Sequence, residues 1–176
     1  LAFMSMQQHW QASRCESADT DIALLYARPA PIVCPVPEFA QRCLGSQPVA
    51  AAEVGSGTDY LIMAMDSAAT VQNLQPDLTL LSAATQRALI VTARDSRAAS
   101  AAGNQVSACV FRYFAPQYGV PEDAATGSAA VQLAAYWALH LPAGPVVLRQ
   151  LSPQAAVMQV QCHADTVELR ARVGYG

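Results

Sequence analysis

The sequence carries little charge, and that scarcity sets the first limits. Only 13% of its 176 residues are charged, against 53% hydrophobic residues, and the mean hydropathy is +0.21. A chain this apolar has a large core to bury and does not have the composition of a disordered segment. Ten basic residues face thirteen acidic ones, for a net charge of −3, and no basic stripe is present. Nothing here would track a phosphate backbone, so nucleic acid is not an expected partner. Long hydrophobic runs are missing as well. The richest stretch, Ser128 to Leu141, is too short to span a bilayer and predicts a buried core helix, so no membrane partner is expected.

Metal and redox signatures are also lacking. The five cysteines, Cys15, Cys34, Cys43, Cys109 and Cys162, are odd in number and contain no Cys-x-x-Cys pair. His9, His140 and His163 lie far apart, with no His-x-x-x-His spacing. The expectation is therefore five free thiols, no disulfide, no metal and a reducing, cytoplasmic compartment. The chain opens on Leu1 and contains nothing that resembles a signal peptide. Internal repeats and low-complexity tracts are absent.

What the sequence does have is alternation of short strands with a few helices. Its length suits one ordinary domain, or one and a fragment. Residues 1–30 read as two extended segments about a polar turn at Cys15–Asp21, with Ile22–Tyr26 as the second strand. Four prolines in Arg28–Pro37 forbid a helix or a central strand and predict an extended connector, the best domain boundary. Glu38–Leu44 fits a short helix stopped by Gly45. Strands are predicted at Val49–Val54, Tyr60–Met65, Ala88–Ala93 and Val106–Phe114, with helical turns at Ala68–Leu74 and Asp77–Gln86. Loops are expected at Arg94–Asn104 and Ala115–Ala125.

The clearest element is a helix from Thr126 or Gly127 to His140, apolar on nearly every face, with three strands after it at Val146–Gln150, Ala156–Cys162 and Thr166–Val173. A helix without a polar face must be enclosed on all sides. Strands before and after it predict an α+β fold in which a mixed β-barrel wraps around that central buried helix.

The chemistry concentrates where this helix begins. Glu122 and Asp123 lie in the loop before it, and Thr126, Gly127 and Ser128 form its first turn. A helix start offers free N–H groups and partial positive charge, which suit an anion. Gly127 lets a ligand approach the backbone, and the two hydroxyls add donors. An acid held beside a bound carboxylate could move a proton at a neighbouring carbon. On physics alone the same residues read first as structure: Asp123 or Thr126 as a helix cap, and Glu122 as a charge matching the dipole.

The segment Arg112-Tyr-Phe-Ala-Pro116, Gly119-Val120 and Glu122-Asp-Ala-Ala-Thr-Gly-Ser-Ala129 resembles the signature of the PhzF family of phenazine-biosynthesis-like proteins. These proteins are related to diaminopimelate epimerase. Weaker likeness extends upstream to Leu74-Gln-Pro-Asp77 and Ala88–Ala93, and downstream to Ala134-Ala-Tyr-Trp137 and Gln150-Leu-Ser152. The resemblance implies two similar barrels, each around a central helix, with a site in the cleft between them. It implies cofactor-independent isomerase or epimerase chemistry on a small carboxylate-bearing metabolite. By carry-over, Asp123 is the acid–base residue of the second domain, and Thr126, Gly127 and Ser128 lie at the substrate. Residues 1–30 would then close a first domain and residues 31–176 would form the C-terminal one. A homodimer is left open.

Two departures accompany the likeness. Ala124 stands where the family usually has proline. Gln150-Leu-Ser152 should lead into Arg-Gly-Gly, but Pro153-Gln-Ala-Ala156 follows. The first domain's Glu-bearing Gly-Asn-Pro segment and its Gly-His segment are not in this chain, so the partner half of the site is expected outside it. The alternative is a non-catalytic relative that binds a small acid or a protein.

Overall fold

The computed structural model describes residues 11–14, 21–96 and 106–172. Cys15, the turn after it, most of the loop expected at Arg94–Asn104, His9 and Val173 lie outside the described residues. In chain order the elements are β1 (Gln11–Arg14), β2 (Asp21–Ala27), β3 (Ile32–Cys34), α1 (Ala40–Leu44), β4 (Ala50–Val54) and β5 (Tyr60–Ala64). Then follow α2 (Ala68–Asn73), α3 (Leu78–Ala84), β6 (Ala88–Arg94), β7 (Ser107–Phe114), a 3-10 turn (Pro116–Tyr118) and α4 (Gly127–Trp137). Strands β8 (Val146–Gln150), β9 (Ala156–Cys162) and β10 (Thr166–Arg172) complete the set.

Local chemistry explains the short helices. Ser67 caps α2 by accepting the Thr70 N–H at 3.1 Å, and Asp77 caps α3 by accepting that of Leu80 at 2.8 Å. Gly45 takes the left-handed conformation that ends α1, at φ 68°.

The ten strands of the described residues join one mixed sheet in the order β1-β2-β10-β9-β8-β7-β6-β5-β4-β3. Two neighbouring pairs are parallel, β5 with β6 and β7 with β8, and a helical crossover links each. The second crossover is α4. Strand β2 pairs with β10 in this same sheet, so residues 21–27, read from the sequence as the end of a first domain, are part of it here.

Two apolar layers cover the sheet's faces. The outer one packs α1, α2 and α3 on Leu61, Met63, Leu89, Val91, Val110 and Phe114. The inner one gathers α4 and residues of β4 through β10 into one core. Laid flat, those seven strands would span roughly 29 Å at about 4.8 Å each, whereas a helix with its side chains is about 10–12 Å across. One helix can share a core with so many strands only if the sheet curls around it. The curl does not close among the described residues: β1 and β3 are the edges, and no pairing joins them. The α+β class expected from the sequence is present, but the described residues form an open mixed sheet and not the closed barrel expected. Pro31 and Pro35 bracket the three-residue β3, and a residue without an N–H cannot extend a ladder across that seam.

Enclosure of α4 is as expected. Every residue from Ala129 to Trp137 is buried, including Gln132. Trp137 donates from Nε1 to Thr92 Oγ1 at 3.1 Å, and Thr92 passes its own proton to the Val110 carbonyl at 2.8 Å. The helix ends at Trp137, earlier than the expected His140. Leu139 and His140 bond back only three residues, to Tyr136 and Trp137, and Leu139 is exposed. No helix among the described residues is long and apolar enough to cross a membrane.

Among the described cysteines, Cys34, Cys43, Cys109 and Cys162 are free thiols. Cys109 is fully buried, and burial pushes its thiol up to about 12. Cys43 is also buried, and burial raises its thiol as well. The thiolate is the reactive form. Native protein treated with a maleimide at pH 8 is therefore expected to leave Cys43 and Cys109 unlabelled until denaturant is added. Peptide mass spectrometry reads this, and native labelling of Cys109 at the rate of the half-exposed Cys34 or Cys162 would contradict the burial described here.

Candidate functional site

Strand polarity gathers several polar groups at one end of the curled sheet. The C-terminal ends of β7 and β8 and the N-terminal end of α4 meet there, and the loop carrying Glu122 and Asp123 crosses between them. Two clamps hold this loop, one on each face of the sheet.

The first clamp lies on the outer face. Arg112 grips Glu122 with two bonds, Nε to Oε1 at 2.7 Å and Nη2 to Oε2 at 2.8 Å. Its Nη1 donates to the Leu74 carbonyl at 2.7 Å, and its guanidinium sits 4.9 Å from the centroid of the Phe114 ring. This paired fork is the strong geometry for arginine and carboxylate. Glu122 is therefore a tether of the loop and is not engaged with the helix start.

The second clamp lies on the inner face. Gln150 alternates along β8 with Val146 and Leu148, so parity puts its amide into the apolar side, where it is 1% exposed. Its Oε1 accepts the Thr126 N–H at 2.7 Å. Its Nε2 donates to the Asp123 carbonyl at 2.6 Å and to Thr126 Oγ1 at 3.1 Å. Ser152 Oγ donates to the Ala124 carbonyl at 2.6 Å.

Between the clamps sits Asp123. Its N–H donates to the Tyr113 carbonyl at 3.1 Å. Oδ1 accepts the Ala124 N–H at 2.8 Å, and Oδ2 accepts the Thr126 hydroxyl at 2.6 Å. Each carboxylate oxygen keeps a further lone pair. The carboxylate is thus oriented without being used up, and it does not cap α4. Thr126 is the N-cap residue by position but makes no side-chain cap bond. The N–H groups of Gly127 and Ser128 have no acceptor among the described residues, and Ser128 is exposed. Of the three residues expected at a ligand, two leave their N–H groups open, whereas Thr126 is buried with its own N–H taken. Gly127 also lies close to β10: a Cβ there would meet Leu169 Cδ2 at 3.3 Å.

Tyr113 was not singled out by the sequence. It packs half-buried on the α4 side of β7. Burial, then the neighbouring Tyr60, Asp123 and Tyr118, push its phenol up to about 12. Alternation along β7 was the signal that could have found it, and the same parity marks Gln150 on β8. A cavity of about 850 Å³ lies elsewhere, at the opposite end of the sheet, lined by Asp66, Ser67, Arg94, Ser107 and Arg149, and does not reach Asp123. Among the described residues no three His, Cys, Asp or Glu side chains cluster as metal ligands.

An oriented acid thus stands beside the open start of an enclosed helix on a mixed sheet. Solved structures share the α+β fold that carries it. A PhzF-family phenazine biosynthesis protein from Enterococcus faecalis matches with a TM-score of 0.77 at 23% identity, over 92% of this chain and 56% of that one. A PhzC/PhzF protein from Clostridium difficile gives 0.73 at 24% identity, with the same coverages. The family model described as phenazine biosynthesis-like protein, PhzC-PhzF, matches residues 38–173, and the chain belongs to that family. Among curated relatives it is 41% identical over 105 residues to an uncharacterized isomerase of Vibrio cholerae, covering 59% of this chain and 34% of that protein. It is 39% and 33% identical to two uncharacterized isomerases of Pseudomonas aeruginosa, over 65% and 73% of this chain. The chain spans only 34% to 45% of the length of these three relatives.

Two measurements follow from this geometry. Tyr113 holds its proton more tightly folded than unfolded, where a phenol has its ordinary value of 10.0. Its contribution to stability is therefore complete below pH 10 and is lost as pH rises toward 12. Denaturant melts at pH 9 and 11.5 are expected to show a smaller loss of stability in Tyr113→Phe than in the wild type. Secondly, Ala155, where the family resemblance calls for Arg-Gly-Gly, sits at φ 48°, in the left-handed region. Ala155→Gly is expected to stabilise the protein by roughly 1 kcal/mol in urea unfolding; a loss of stability would mean that this turn is not strained.

Proposed function

We propose that this chain supplies one half of a PhzF-like isomerase or epimerase. In this reading the reaction is cofactor-independent proton transfer on a small carboxylate-bearing metabolite. Asp123 is the acid–base group of this half, and the open N–H groups of Gly127 and Ser128 receive the substrate carboxylate. Thr126 lines the same start and turns Asp123 toward it. Residues 31–176 form the C-terminal unit in this reading, with β2 paired onto them through β10.

The observation that carries the proposal is the pairing of an oriented carboxylate with unpaired helix N–H groups one turn away. A carboxylate held by the helix start places its α-carbon near the acid, and proton transfer at that carbon needs this arrangement. The names of the curated relatives, all uncharacterized isomerases, support the same class. Moving a proton between two carbons also benefits from a second group on the other side, and the loop's other carboxylate, Glu122, is held by Arg112. One acid–base group contributes roughly 10²–10⁴ in rate, and an open cleft admits water that weakens each charge interaction. The second reading, a non-catalytic relative that binds a small acid, is favoured by Pro153-Gln-Ala155 in place of Arg-Gly-Gly.

Titrating the ¹⁵N-labelled chain with malonate is expected to shift the amide signals of Gly127 and Ser128 first. Ser128→Asp, which brings a like charge to an exposed position, is expected to weaken that binding by roughly tenfold. The isolated chain is expected to leave the α-protons of small amino and hydroxy acids unexchanged in D₂O. Malonate shifts elsewhere with none at Gly127 or Ser128 would sink the binding site. Exchange abolished by Asp123→Asn would show that this chain, or a second copy of it, already holds the complete site.

A further inference from the structure

Gln150 is the one strongly polar side chain on the inner face of β8, and a buried amide is tolerated only where all its groups are met. Its partners fix which way it points. The Thr126 N–H requires an oxygen at 2.7 Å, and the Asp123 carbonyl requires an N–H at 2.6 Å. A flipped amide would set donor against donor and acceptor against acceptor. With the amide fixed, the second Nε2 proton goes to Thr126 Oγ1. A hydroxyl has a single proton. Because Thr126 Oγ1 accepts from Gln150, that proton is directed at Asp123 Oδ2, 2.6 Å away. The result is a one-way chain from the Gln150 amide through the Thr126 hydroxyl to the Asp123 carboxylate.

We propose that Gln150 is a positioning residue for Asp123. It anchors the Asp123 and Thr126 backbone from the buried side, sets the direction of the Thr126 proton and so fixes the rotamer of the carboxylate. By taking the Thr126 N–H it also moves the first open donor of α4 to Gly127, one step farther out. Ser152 extends the hold to the next carbonyl, that of Ala124. This inference rests on the reading of Asp123 as the acid–base group for its functional meaning, although the geometry it invokes is independent of turnover.

The test uses the whole chain and needs no ligand. Gln150→Glu keeps the shape and an acceptor for the Thr126 N–H, but offers at most one proton, when its carboxyl is neutral, where the amide gives one to the Asp123 carbonyl and one to Thr126 Oγ1. Three signals are recorded: the Asp123 Cγ chemical shift, the Thr126 χ1 couplings and the melting temperature. A positioning role predicts that Gln150→Glu averages the Thr126 rotamer and moves the Asp123 Cγ signal. It also predicts that most of the Asp123 change disappears when the same substitution is made in Thr126→Val, because the effect is relayed through that hydroxyl. A packing role alone lowers the melting temperature and leaves both signals at their wild-type values, and that outcome overturns the proposal. Should Gln150→Glu fail to fold, amide exchange in the wild type decides. The Thr126 N–H is expected to exchange at least roughly tenfold more slowly than that of Ser128, and equal rates would refute the bond on which the inference stands. Malonate shifts that bypass Gly127 and Ser128 would remove the functional reading of this site without altering any of these readings.

Discussion

One constraint organises this protein: α4 has no polar face. Its residues from Ala129 to Trp137 are all buried, and the main chain must bring apolar surface to every side of them. The sheet meets that demand by curling, with β4 through β10 sharing a core with one helix. Thr92 and Trp137 show how tightly polar groups are managed inside, since each buried donor there finds an acceptor. Burying a helix in this way also fixes its axis. Its N-terminus therefore opens at one end of the sheet, at the same end as the C-termini of the parallel pair β7 and β8.

That placement gives the loop before α4 its character. Loops usually carry the mobility of a fold, yet this one is pinned from both faces of the sheet. Arg112 holds Glu122 from the side of α2, and Gln150 with Ser152 holds Asp123, Ala124 and Thr126 from the side of α4. Two adjacent acids thus take opposite parts. Glu122 is neutralised by a fork of hydrogen bonds, whereas Asp123 is oriented by one hydroxyl and one backbone N–H and retains lone pairs. The division follows from the two anchors, Arg112 and Gln150, which lie on opposite faces of the sheet.

Much of the fold was legible in the residues because it rests on local rules. Strand periodicity found β4 to β10 within a residue or two, and Gly45 marked the end of α1 by its backbone freedom. Asp123, Gly127 and Ser128 stood out because a short motif holds them together in sequence. The open seam was half legible: four prolines around β3 forbade a central strand, but whether the sheet closed elsewhere depended on pairings between distant segments.

The sequence by itself determined that a helix apolar all round would be enclosed, that an acid would precede it, and which family's signature that loop resembles. These are properties of neighbours within a few turns of chain. Only the tertiary structure decided what the acid touches. Gln150 lies 27 residues beyond Asp123, and Arg112 must cross under α2 to reach the Leu74 carbonyl 38 residues before it. Such contacts arise because the parallel pairing of β7 with β8 returns the chain to the same end of the sheet after α4. No local propensity encodes that return. It follows from burying α4, and the direction of one hydroxyl proton beside Asp123 follows from it in turn.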